Sequence, residues 1–143
     1  MSEATIAGTT EQDEFPYPEG RVVAILDTVE HMWDAVESLV TVGFLETEID
    51  IVHGTTAAEK VAAGTGRRGL THVVMKLAAK IGLPNDEMAQ RQRYEEALRT
   101  GHFVLAVETP TEQRKVLASQ IIHKEGGRFI HYFGESTFEV MSA

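Results

Sequence analysis

Gly101-His102-Phe103-Val104-Leu105-Ala106-Val107-Glu108-Thr109-Pro110 is the stretch on which the fold turns. Phe103 to Val107 is an unbroken apolar run, so both faces of the strand it forms need burial, which places the strand inside a sheet. Thr109, Pro110 and Glu112 follow as an N-cap, a first-turn proline and a third-position acid, the start of a helix. Gly101 ahead of the strand reads as a helix stop with a left-handed backbone.

The same pattern occurs earlier, at Gly20-Arg21-Val22-Val23-Ala24-Ile25-Leu26-Asp27-Thr28. Val22 to Leu26 is again apolar on both faces, and Asp27 or Thr28 offers the cap. Val29, Trp33, Val36, Val40 and Phe44 recur at helical spacing, which predicts a helix over 29–42 that ends at Gly43. Ile49 to His53 reads as the next strand. In the second copy the helix spans about 110–123, Gly126-Gly127 closes it, and Phe129 to Phe133 is the last strand. Two strand–helix–strand units predict an α+β domain of the ferredoxin-like, split β-α-β kind. Its four-stranded antiparallel sheet has the expected order fourth, first, third, second, with both helices on one side.

A helical insertion at about 55–100 separates the halves, with helical pieces expected at 56–63, 69–81 and 84–100. The domain is placed at 20–143. Residues 1–19, rich in Thr and Glu with Pro16 and Pro18 at the end, are expected to be a disordered tail, docking of Phe15 and Tyr17 being the alternative. Two helices cover only one face of a sheet whose inner strands are apolar on both. The inserted helices or a second subunit must cover the other, and the expectation is a homodimer through the sheet face, the insertion contributing.

The totals narrow the function. A net charge of −9 speaks against nucleic acid as a general partner. Residues 54–101 are the exception, with eight Lys or Arg against five Asp or Glu. The absence of cysteine excludes disulfides and thiolate chemistry. Residues 1–19 lack the basic start and apolar core of a signal peptide, and no apolar run is long enough for stable membrane insertion, so a cytoplasmic location is expected.

The element pattern, with Tyr94-Glu95-x-Ala97-Leu98-x-x-Gly101 before the third strand and Ile130-His131-Tyr132-Phe133-Gly134 at the close, resembles the bacterial general stress protein family. These are heat-induced, small ferredoxin-like proteins, and the resemblance spans about 21–134. It implies a stress-associated cytoplasmic domain and brings no catalytic residue with it. The charged middle of this chain, with Arg67, Arg68, Lys76 and Lys80, departs from the glycine-rich apolar middle of that family.

Candidate chemistry is sparse. Gly64-Thr65-Gly66-Arg67-Arg68-Gly69 has the GxGxxG form, but a helix rather than a strand precedes it, so a helix–helix link is the better reading and no cofactor is expected. Arg67 and Arg68 are weak anion-binding candidates. Leu70, Val73, Val74, Leu77 and Ile81 form a helical stripe, with His72, Lys76 and Lys80 elsewhere; it suits packing on the sheet, or docking on anionic membrane or an acidic partner. Of six histidines, His31 and His123 are expected in solvent. The topology brings His53, His102 and Asp27 to one edge of the sheet, where a carboxylate can orient an imidazole for general-base work. Tyr94 is a candidate hydroxyl between insertion and sheet, its ordinary alternative being a packed ring bonded at its rim. No histidine spacing supports a metal site.

Three functions follow as expectations. The first is a non-enzymatic stress-associated domain that self-associates and binds a partner or small ligand. The second is a small enzyme working through His102 or His53 with Asp27 and Tyr94. The third is docking on anionic membrane or an acidic partner through the basic insertion.

Overall fold

A computed structural model of the chain describes residues 14–64, 70, 72–135 and 138–142. Eight strands and four α-helices are present among them. In chain order these are β1 (Glu14–Phe15), β2 (Arg21–Leu26), α1 (Val29–Thr41), β3 (Ile49–His53), α2 (Ala58–Gly64), β4 (Val74–Leu77), β5 (Lys80–Ile81), α3 (Met88–Arg99), β6 (Phe103–Glu108), α4 (Glu112–Lys124), β7 (Arg128–Phe133) and β8 (Phe138–Ser142). The fold is mixed α+β. Six strands form one sheet in the order β4-β3-β6-β2-β7-β8, and β1 pairs with β5 alongside it.

The sheet is wider than the four strands expected, for two reasons. The described residues from 72 to 81 are not a helix: Val74 to Leu77 pairs parallel to β3, Asp50 opposite Val74 and His53 opposite Leu77. The spacing of Leu70, Val73, Val74, Leu77 and Ile81 fits a helix, but pairing with β3 overrides that local preference. At the other edge Phe138–Ser142 adds to β7. Residues 84–100 shorten to a 3₁₀ turn at Asn85–Glu87 followed by α3.

Alternation along the strands divides the core into two layers. Val22, Ala24, Leu26, Ile49, Ile51, Phe103, Leu105, Val107 and Ile130 face α1 and α4, where Trp33, Val36, Leu39, Ala118 and Ile122 meet them. Val61 of α2 joins this layer. On the second face Val23, Ile25, Val52, Val104, Ala106 and Phe133 meet Tyr94, Ala97 and Leu98 of α3, with Phe15, Ala78, Ile81 and Leu83 beside them. The insertion therefore covers the second face within one chain. Burial of the central strands on that face does not require a second subunit.

The helix starts show why local sequence is only partly decisive. Thr28 caps α1, its Oγ1 accepting from His31 N at 3.0 Å. For α4 the cap is Thr111, accepting from Arg114 N at 3.1 Å, and not Thr109 as expected. Thr109 is buried, and its N–H donates to Gly20 O at 3.1 Å, so the strand end holds it before the helix can start. Gly101 has φ +91, the left-handed stop expected of it. Phe15 is buried, β1 lies against β5, and the Tyr17 hydroxyl donates to Gly134 O at 2.7 Å, which is the docked alternative for these two residues.

Candidate functional site

The end of β2 and the starts of β6 and β7 lie side by side. Register places Leu26 opposite Phe103 and Ile25 opposite Arg128. Asp27, His102 and Arg128 therefore meet at one end of the sheet. Arg128 holds Asp27 with both ends of its fork, Nη2 at 2.9 Å and Nε at 3.2 Å from Oδ1. His102 Nδ1 sits 3.4 Å from the same oxygen. Its alignment is not that of a hydrogen bond. Attraction there is Coulombic and needs a charged imidazole. The Arg128 hydrogen bond holds the Asp27 carboxyl below the usual carboxylate range; desolvation opposes this, and the charges of Arg128, His102 and His31 support it. All three side chains are partly exposed, so the pair contributes about 0–1 kcal/mol.

His53 does not join them. It shares the alternation of Ile49 and Ile51 on the first face, whereas His102 has the alternation of Val104 on the second. The His53 ring is buried, with Nδ1 3.1 Å from Gly54 O. Tyr94 does not point into a cleft either. It is fully buried in α3, its oxygen 3.1 Å from Phe129 O, 3.2 Å from His131 Nδ1 and 3.4 Å from Val23 O. Burial holds this phenol well above its ordinary pKa, so it is a neutral hydrogen-bonding group.

The polar center of the second layer is thus Tyr94 with His131, which is also buried. Desolvation lowers the His131 pKa, the hydrogen bond to Phe129 O opposes this, and the charge of Arg93 adds to it. Phe129 itself has φ +56, the one non-glycine residue with positive φ among those described. A left-handed residue with a side chain costs about 1–2 kcal/mol. Its ring is held between Tyr94, at a centroid distance of 5.1 Å, and the Arg93 guanidinium at 4.2 Å. Sequence reasoning missed Arg128, Phe129 and His131. The signal for Arg128 was its place at the start of the last strand, beside the end of the first.

A cavity of about 310 Å³ opens between the loop after β3, the end of β4 and α3. Leu77, Ala78 and Leu98 supply apolar wall; Thr55, Thr56, Glu95 and Arg99 supply polar groups. It lies just past the carboxyl ends of the parallel pair β3 and β4, a place where open sheets with parallel strands take ligands. Gly54 makes the approach of α3 possible: a Cβ there would lie 2.6 Å from Leu98 O. Thr56 Oγ1 donates to Arg99 O at 3.0 Å, fastening the loop to the last turn of the helix.

Arg67 and Arg68 lie outside the described residues, as does the GxGxxG stretch after Gly64. The basic docking helix is corrected along with its secondary structure. Lys76 belongs to a strand; its Nζ is 3.8 Å from the buried Asp50 carboxylate and 5.3 Å from the center of the Phe15 ring. Arg21 also pairs with Asp50 and, at 3.0 Å, with Glu108. His72 lies before β4, not on a helix, with its N–H bonded to Glu46. Among the described residues no group of three His, Asp or Glu side chains is placed to hold a metal ion. No described helix is long and apolar enough to cross a membrane. Compared with known proteins, the chain matches no family model, no curated protein and no solved structure.

Proposed function

We propose that the chain is a non-enzymatic binding domain of the stress-associated type, taking a small ligand in the crevice between the sheet and α3. The observation that carries this reading is the cavity of about 310 Å³ lined by Thr55, Thr56, Leu98 and Arg99. Its size is at the lower end for small-molecule sites, and its apolar wall with a few polar groups has their usual composition. The ferredoxin-like reading of the fold belongs with this proposal. The inner run β7-β2-β6-β3, with α1 and α4 on one face, supports it, and the outer strands are then additions. Self-association, the other half of the expected function, is left with surfaces such as the sheet edges at β4 and β8.

The test is a blocked cavity. Ala79 borders it and is exposed, so Ala79→Trp fills the mouth without disturbing the core. In a titration of isotope-labelled protein with a panel of small polar metabolites, resonances of Thr55, Thr56 and Leu98 are expected to move. They stay still in the folded Ala79→Trp protein. Binding that persists in that variant puts the site elsewhere.

A second reading, a small enzyme, keeps one supporting observation: the 3.4 Å approach of His102 to Asp27. It requires that His102→Ala abolish a turnover while the thermal midpoint holds. A fall in stability with no lost activity returns His102 to a structural role.

A further inference from the structure

We infer that Tyr94 and His131 are positioning residues: they hold Phe129 in its left-handed conformation and thereby set Arg128 on Asp27. The chain of contacts is continuous. Tyr94 Oη lies 3.1 Å from Phe129 O, and His131 Nδ1 lies 3.2 Å from the same oxygen. Two groups from two elements, α3 and β7, thus clamp one carbonyl. The residue so clamped has φ +56, and the β2–β7 register shifts between Val23 and Ile25 beside it. A bulge of this kind re-aims a side chain. The neighbor whose aim it sets is Arg128, whose fork closes on Asp27 at 2.9 Å.

Strain of this kind persists only where its surroundings over-determine it. Gly126 and Gly127 precede this position, so the chain has glycine nearby, yet Phe129 takes the strained conformation. The Phe129 ring explains the side chain: it packs on Tyr94 and under Arg93, so it joins the clamp it depends on. The groups around His131 include Tyr94 and the charged Arg93 from α3, the Phe129 ring at 4.4 Å, and Val23 from β2, with Val140 opposite it on β8. The cluster at the sheet end is therefore governed from inside the second layer, by residues that do not touch it.

The test reads Asp27 itself. Its carboxyl titration, followed by carbon-detected NMR, is expected below the ordinary carboxylate range in the wild type. Arg128→Gln is expected to move it up toward the ordinary value. Tyr94→Phe keeps the ring and removes the hydroxyl, and is expected to move it in the same direction; His131→Gln provides a second disruption of the clamp. A merely structural tyrosine lowers the thermal midpoint and leaves the Asp27 titration alone. Folded Tyr94→Phe or His131→Gln protein with wild-type Asp27 titration overturns the inference, as does Arg128→Gln with no change. The wild type supplies a readout independent of any variant: Phe129 Cα and Cβ shifts of an ordinary strand residue overturn it too.

Discussion

The two faces of the sheet are closed in different ways. On the first, α1 and α4 lay down Trp33, Val36, Leu39, Ala118 and Ile122 over strand residues that are apolar along their middle, with the buried His53 and Thr109 only at strand ends. On the second, one helix and a scatter of short pieces do the work, and polar groups are built into the layer: Tyr94, His131 and Asp50 are all buried there. A repeated strand–helix–strand unit generates the first layer. The insertion generates most of the second, and it brings hydrogen bonds that must be satisfied along with its apolar side chains. The cavity and the strained Phe129 both belong to the second.

The sharpest way to break this contrast is to empty the second layer. Tyr94→Ala removes the largest side chain that α3 contributes and takes one hydrogen-bond partner from each of His131 and the Phe129 carbonyl. Truncating a buried aromatic costs about 3–5 kcal/mol, and the loss is expected to show as a lower denaturant midpoint with an unchanged slope. A cost under about 1 kcal/mol would mean that α3 is not a packed cover. It would also reopen this face to a second copy of the chain.

Less drastic is a change that pushes the cover away. Gly54→Ala places a Cβ 2.6 Å from the Leu98 carbonyl, against backbone that cannot swing aside. Overpacking of this sort costs about 1–3 kcal/mol. Ligand-induced shifts at Thr55 and Leu98 are expected to weaken with it. Hydrogen exchange should then accelerate in α3 while α1 keeps its protection. Equal acceleration in both helices would show that the two layers open together.

The first layer was legible because its signals agree. Apolar runs at Val22 to Leu26 and Phe103 to Val107, helical spacing from Val29, and glycine punctuation all specify the same elements. The second was less so. Leu70, Val73, Val74, Leu77 and Ile81 satisfy a helical template, and only the neighbor β3 makes Val74 to Leu77 a strand. The expected sheet leaves Ile49 to His53 on an edge; with β4 paired outside it, every one of those five residues is buried. Asp27 with His102 was readable from topology, since strand order alone puts them at one end. Arg128 had only its place at the start of the last strand to mark it, and the conformation of Phe129 had no mark at all, because a bulge sets it and bulges have no side-chain period to read.

Capping gives a smaller effect that separates local from tertiary control. Thr111→Ala removes the hydroxyl that accepts from Arg114 N and is expected to cost about 1 kcal/mol. Thr28→Ala at the start of α1 is expected to cost about the same. Thermal unfolding of the two variants checks this. Near-zero cost for Thr111→Ala would hand the helix start back to Thr109, where the sequence first put it.

The mildest effect expected is a slope with pH, and it belongs to the second layer alone. Burial lowers the His131 pKa from its ordinary 6.5, so the folded protein favors the neutral ring. The unfolded chain then binds more protons as the solution turns acidic. The stability that His131 contributes is full above pH 6.5, and it is lost as pH falls through the lower, folded value. The thermal midpoint should decline as the pH falls below about 6.5. His131→Phe keeps a ring in the layer and removes the titration; its curve is expected to be flatter by the His131 share. Parallel curves would mean that the imidazole is hydrated when charged. The clamp on Phe129 would then be open to solvent, and the difference between the two faces would come down to their apolar packing.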